Sequence, residues 1–400
     1  MSHQLINLSP DLKRLRDEGF NIAVEAGILI VNDIPYVTPS QAVAYGTLVT
    51  PLSMAGDITT KPATHIAYFA GEHPCHKDGT PMVKLVLAGQ PPYPYGIGLY
   101  AQHMMSNKPF PLEVGYADYY ELMTTYINII SAPVHSIDSL ITARTYPVIE
   151  ESEVESVFCY MDTASSRAGI SAVARKLALG RIAIIGLGGT GSYVLDLVAK
   201  TPVNEIHLFD RDVFSQHNAF RAPGAPSLEQ LRSKPQKVDY LASVYAQMRR
   251  NIIPHNEFLT EENVDQLLGM DFIFLCLDRG TVKHTIIARL EAAAIPFVDV
   301  GMGIYLEMDS LSLGGIVRVT TSTQLQRDHV HQKRRISFGD GAEVNEYQQN
   351  IQIADLNALN AALAVIKWKK LFGFYLDLEG EHHSTYTIDG NSLINEDHSA

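Results

Sequence analysis

The middle of this 400-residue chain holds side chains of the types that handle a polyphosphate. Asp210 and Asp212 are followed by Arg221, by Lys234 and Lys237, and later by Asp278. Attack at an α-phosphate builds charge on its oxygens, and cations such as Arg221 and one of these lysines would offset it. A carboxylate at the carboxyl end of a strand, the place expected for Asp278, suits a Mg²⁺ ion that bridges phosphates. Asp210 is placed to accept ribose hydroxyls. Asp212 admits two readings: contact with the metal, or a simple pairing with Arg221. Hydride transfer to a dinucleotide would need no such cations.

The stretch that must position these groups is Arg181 to Asp210, RIAIIGLGGTGSYVLDLVAKTPVNEIHLFD. Ile182-Ala183-Ile184-Ile185 reads as a buried strand. Gly186, Gly188, Gly189 and Gly191 then turn the chain into a helix bearing Tyr193, Val194, Leu197 and Val198. A second apolar run, Ile206 to Phe209, ends on Asp210, about twenty residues past the turn. Strand, glycine turn, helix, strand and acid in this order make a nucleotide-binding βαβ unit, because glycine lets backbone N–H groups approach a polyphosphate at a helix N-terminus. A glycine turn in a ligand-free sheet is the plainer reading.

Composition sets the outer limits. Hydrophobic residues make up 46% and charged residues 19%, as in a folded protein. A net charge of −13 argues against a nucleic-acid partner. The three cysteines, Cys75, Cys159 and Cys276, lack zinc spacing and a paired framework, so a reducing, cytoplasmic setting is expected and structural zinc is not. No signal-like or membrane-length apolar run is seen. Cys276, in the Phe272–Leu277 run, reads as core packing.

The expected organisation is an α+β N-terminal domain (1–150), an acidic linker (151–164) and an α/β domain (165–400). In the first, a short helix follows Ser9-Pro10, and strands are expected from Gly27, over Tyr45 to Leu52, His65 to Phe69 and Met82 to Leu87, with helix over Tyr116 to Ile130. In the second, a helix over Ile170 to Leu179 precedes the first strand. An irregular stretch (212–232), a helix near 235–249, a strand ending at Asp278 and helices over Val282 to Ala293 and Ile353 to Phe372 are also expected. Strand-like pieces are expected at 304–308 and 311–319. Residues 320–347, which include His329, His331, Lys333, Arg334 and Arg335, read as a long loop over the site.

Taken together, these segments resemble the ThiF/MoeB family, which includes the adenylation domains of ubiquitin-activating enzymes. The matching pieces are Gly186-Leu187-Gly188-Gly189-Thr190-Gly191, Phe209-Asp210-Arg211-Asp212, Asn218-Ala219-Phe220-Arg221, Pro235-Gln236-Lys237-Val238 and Cys276-Leu277-Asp278. The resemblance implies a Rossmann-like adenylation domain with a mixed sheet. It also implies ATP and Mg²⁺, and as substrate the C-terminal glycine of a ubiquitin-like or sulfur-carrier protein of β-grasp fold. By resemblance, Gly189 lies against the nucleotide, Asp210 holds the ribose, Asn218 lies near the phosphates, Arg221 and Lys237 grip them, and Asp278 serves the metal. The family passes an arginine into the site from a partner subunit, which points to Arg167 and a homodimer. No cysteine follows Cys276 where thioester-forming members carry one, so the acyl group would pass to a thiol elsewhere, such as a separate conjugating enzyme.

In the N-terminal domain, His73-Pro74-Cys75 with Asp78-Gly79 faintly resembles the His-Pro turn of ubiquitin-conjugating folds, without their later cysteine. A binding module is then expected. Cys75 between His73 and His76 is a candidate nucleophile. The remaining alternatives are activation of a non-protein carboxylate by a tRNA-modifying type of relative, a dinucleotide oxidoreductase, and a non-catalytic scaffold.

Overall fold

The computed structural model describes residues 2–89, 93–94, 100–109, 115–151, 156–277, 281–338 and 351–395. The chain forms two compact units, Met1–Ile149 and Glu150–Ala400.

The first unit is built on a five-stranded antiparallel sheet, in the order Asn21–Glu25, Ile28–Val37, Val43–Pro51, Ile66–Ala70, His103–Ser106. A helix, Tyr119–His135, buries Leu122, Met123, Tyr126 and Ile130 in one core with Leu29, Val31 and Leu48. Its start is fixed by Asp118, whose side chain accepts from the Glu121 N–H. Two helices, Ser2–Leu8 and Pro10–Asp17, add Ile6, Leu12 and Leu15 to that core. Residues 82–87, expected as a strand, form turns instead: the Leu85 and Val86 N–H groups both donate to the Met82 carbonyl. A run of apolar residues alone does not separate a strand from a buried turn.

The second unit holds an eight-stranded mixed sheet. Its parallel half runs Ile252–His255, Glu205–Phe209, Arg181–Ile185, Phe272–Leu275 and the first part of Phe297–Glu307. Ser312–Ser322, His383–Thr387 and Ser392–Asn395 then extend it antiparallel. Arg181–Ile185 is central and covered on both faces, hence its unbroken apolar run. Ile182 and Ile184 pack with Val194, Val198 and Trp368, while Ala183 and Ile185 pack with Ile286, Ile287 and Leu290.

Several expectations change at this level. The helix expected over Ile170 to Leu179 is reduced to Ser171–Ala174 and a 3₁₀ turn, Arg175–Leu177, while a separate helix, Thr163–Arg167, precedes it and Gly169, at φ +71°, stands between. The stretch read as irregular contains two short capped helices, Gln216–Ala219 and Leu228–Ser233. The 320–347 stretch is not loop throughout: a strand reaches Ser322 and a helix spans Asp328–Gln332. His329 and Arg335 there are buried, with His329 against the Thr321 carbonyl and Arg335 against His329, so neither is a solvated loop cation. Residues 339–350 lie outside the described part, as do 152–155 of the expected linker. Among the described residues no helix is long and apolar enough to cross a membrane.

Candidate functional site

The site is organised by the turn after Ile185. Gly186 has φ +86°, and a Cβ there would lie 2.7 Å from the Cys276 carbonyl oxygen. Gly191 is tighter still: a Cβ would fall 1.9 Å from the Gly186 carbonyl oxygen. Glycine at these two positions lets the helix Gly189–Val198 start directly over the strand end. Gly188 is its cap residue, and a Cβ there would meet nothing within 4 Å. The first N–H groups of the helix have no acceptor within the helix and carry its positive end, a setting that suits an anion.

Asp210 follows the neighbouring strand and is 8% exposed. Its carboxylate accepts from the Leu187 N–H at 2.7 Å and from the Asp212 N–H at 2.8 Å, which ties it to the glycine turn. Lys237, 6% exposed at the start of the helix Lys237–Tyr245, places Nζ 2.7 Å from Asp212 Oδ2 and 3.7 Å from Asp210 Oδ2. The Lys237 N–H also donates to the Asp212 carbonyl, so backbone and side chain hold the same joint. Lys234 stands apart as the left-handed, exposed C-cap of the preceding helix. Asp212 therefore pairs with Lys237, a third arrangement beside the two expected for it.

Arg221 lies one turn past Asn218, and its N–H donates to the Asn218 carbonyl. Its Nε is buried and meets no acceptor among the described residues. Asn218 is 3% exposed and its Oδ1 accepts from the Ser215 N–H, closing a capping box that sets the direction of this segment. Arg167 ends the five-residue helix Thr163–Arg167, capped by Asp162, and is exposed. Asp278 lies outside the described residues.

Asn357, on the helix Ala354–Leu371, is a joint the sequence reading missed. Its Oδ1 accepts from the Thr190 hydroxyl at 2.9 Å, and its Nδ2 donates to the Arg221 carbonyl at 3.4 Å. One buried carboxamide thus links the glycine helix to the segment that carries Arg221. A Cβ on Gly189 would lie 2.0 Å from Asn357 Nδ2, so the glycine is needed for this close approach. Asn360, one turn on, donates to the Gly301 carbonyl at 3.1 Å. The two asparagines interrupt an otherwise apolar, alanine-rich run, and that interruption was the available signal. Between them and the glycine turn lies a recess of about 40 Å³, also lined by Cys276, Val300 and Met302.

A second buried group stands on the next strand. Asp299 is fully buried between Lys283 Nζ at 2.5 Å and Arg318 Nη2 at 2.6 Å, and Lys283 also donates to the Leu277 carbonyl. Burial without charge compensation would be costly, and two cations supply it. Cys276 is not the strand-core residue expected. The strand ends at Leu275, and Cys276 is half-buried against the recess.

Cys75 does not bear out a nucleophilic role. It is fully buried, its thiol donates to the His73 carbonyl at 3.2 Å, and burial, aided by the charges of Asp78 and Glu72, pushes it above the usual thiol range. An activated thiol requires the opposite shift. His73 turns its Nδ1 to the Pro74 carbonyl, away from any role as base to the thiol.

The glycine turn and Asp210 fit a nucleoside polyphosphate. The turn offers helix N–H groups beside the open face at Gly188, and Asn357 ties that turn to the segment that carries Arg221. Among the described residues no three of His, Cys, Asp and Glu assemble to hold a metal ion.

Residues 163–318 match the ThiF family, and residues 10–163 match a domain of unknown function, DUF6791. A tRNA threonylcarbamoyladenosine dehydratase of Haemophilus influenzae is 26% identical over 130 residues, 32% of this chain and 49% of that protein. The chain therefore spans about half the length of this curated relative. Among solved structures, PaaA is 19% identical with a TM-score of 0.44, over 56% of this chain and 75% of its own. Escherichia coli MccB with ATP is 15% identical with a TM-score of 0.45, over 58% of this chain and 69% of its own.

Proposed function

With residues 163–318 a ThiF-family domain, we propose that the protein is an ATP-dependent adenylyltransferase acting on a terminal carboxylate. The acyl donor is the C-terminal glycine of a ubiquitin-like or sulfur-carrier protein. The observation that carries this reading is the junction of Gly186–Gly191, Asp210 and Lys237 at the carboxyl ends of the central parallel strands, where such sheets bind ligands.

In the reaction, a carboxylate oxygen of the acyl donor attacks the α-phosphorus of ATP. The bond from that phosphorus to the pyrophosphate oxygen breaks, which leaves acyl-AMP and pyrophosphate. Asp210 would orient the ribose. Lys237 would move from Asp212 toward the phosphate oxygens, and Arg221 would offset the same charge. Asp278 would hold a Mg²⁺ ion, which would offset the phosphate charge. Arg167 would enter the site of a second copy, which makes a homodimer the working form. The Met1–Ile149 unit would recruit the protein substrate or a separate conjugating enzyme, since Cys75 is ill-suited to receive the acyl group.

A second reading follows from the 26% identity to the tRNA threonylcarbamoyladenosine dehydratase, namely activation of a non-protein acid. The charge of −13 weighs against a polyanionic substrate. Pyrophosphate exchange into ATP tests the proposal: exchange that depends on a β-grasp protein ending in glycine supports it. Exchange driven by tRNA alone favours the second reading, and binding of NAD without ATP refutes both.

A further inference from the structure

The recess beside the glycine turn holds a group that nucleotide binding leaves unused. Asn360 is 1% exposed, and its Nδ2 donates to the Gly301 carbonyl. A backbone carbonyl only accepts, so this contact settles which end of the carboxamide is nitrogen. The Oδ1 atom is the one left over. It is buried and meets no donor among the described residues. Buried acceptors are rarely kept without a donor, and one on the wall of a recess is open to a donor brought by a ligand.

The shape of the recess restricts that ligand. Gly188, Gly189 and Gly301 contribute only backbone to its walls, and its volume is about 40 Å³. So small a recess admits only a narrow group. A ligand that fills it is thus narrow, lies beside the N-terminus of the helix Gly189–Val198, and carries a hydrogen-bond donor, which a peptide N–H supplies.

We infer that Asn360 is the specificity residue for the acyl donor: its Oδ1 accepts the N–H of the last peptide unit, and the narrow recess beside the open face of Gly188 admits a terminal glycine. The inference rests on the adenylation reading and extends it from the phosphates to the chain behind the carboxylate. An organic acid without that N–H would leave Oδ1 without a donor and bind less well, the usual penalty where a site is built to hydrogen-bond a group the ligand lacks.

The test uses two adenylate mimics with the full-length protein. Both are 5′-O-sulfamoyl adenosines; one is acylated with acetyl-glycyl-glycine, the other with its ester isostere, in which oxygen replaces the terminal N–H. Calorimetry should show the amide probe binding about tenfold more tightly than the ester. In Asn360→Leu the two probes should bind equally, while affinity for ATP alone is retained. Equal binding of both probes by the unaltered protein would overturn the inference, and needs no variant to fold. Loss of ATP affinity in a folded Asn360→Leu protein would overturn it too, by placing Oδ1 against the nucleotide. A protein that binds neither ATP nor either probe would refute the adenylation reading itself, whereas ATP binding with equal probe affinities refutes only the role of Asn360.

Discussion

Replacing Lys237 with methionine separates a structural role from a catalytic one. The chain stem and its packing stay, and the charge goes. In the native arrangement Nζ is 3.7 Å from Asp210 Oδ2, a carboxylate whose side chain is 7% exposed. At an effective dielectric constant of about 20 this pair is worth roughly 4 kcal/mol before any relaxation. Asp210 keeps its two backbone donors, Leu187 and Asp212, so the net loss is smaller, about 1–3 kcal/mol. For a unit of this size that is a fall in Tm of about 3–9 °C. The Asp212 pair adds little, because that carboxylate is 58% exposed. If Lys237 also serves the phosphates, adenylate formation should fall by roughly 10²–10³-fold, the scale of one lost charge-stabilising donor. The double variant Lys237→Met/Asp212→Ala removes the surplus negative charge. It should recover part of the Tm, measured by calorimetry, without recovering pyrophosphate exchange. Exchange that returns along with the Tm would refute the catalytic role and leave Lys237 as a counter-ion of the acidic pair.

Other consequences follow from particular contacts. Gly191→Ala sets a methyl group 1.9 Å from the Gly186 carbonyl oxygen and must push the turn off the strand. A loss of roughly 1–3 kcal/mol is expected in urea unfolding, and an unchanged midpoint would contradict the packing described. Burial, and then the charge of His207, holds the pKa of His255 below its ordinary 6.5, with Glu257 opposing. The unfolded chain therefore takes up this proton first, so stability should be full above about pH 6.5 and decline below it. His255→Gln should flatten that part of the urea-midpoint profile, and an unaltered slope would assign it to other groups. Mixing Arg167→Ala with Lys237→Met protein should restore exchange if Arg167 acts across a dimer; no restoration would confine each site to its own chain.

Much of the second unit was legible because its signals are local and obligatory. A strand buried on both faces needs an unbroken apolar run, as at Ile182–Ile185, and a helix that starts on its end needs glycine at Gly186 and Gly191. The joint between Asp210 and Lys237 was half legible: both residues were chosen, but the part of Asp212 in it was not. Asn357 and Asn360 were missed because they sit in a helix whose alanines and leucines read as core. Their meaning depends on a partner far away in sequence, Thr190 for one and Gly301 for the other. Asp299 was passed over for the same reason, since its neutralising cations come from a helix and a later strand. In the first unit, Cys75 drew attention through neighbouring histidines, yet adjacent residues seldom face one another, and here the thiol turns to a backbone carbonyl.

The junction of glycine turn, Asp210 and Lys237 is proposed to bind ATP for attack by a carboxylate. Isotope exchange between pyrophosphate and ATP measures it most directly, run with the full-length protein, Mg²⁺ and a β-grasp protein ending in glycine. Exchange should require the free C-terminal carboxylate and be lost on its amidation. ATP bound with no exchange under any added carboxylate would contradict it.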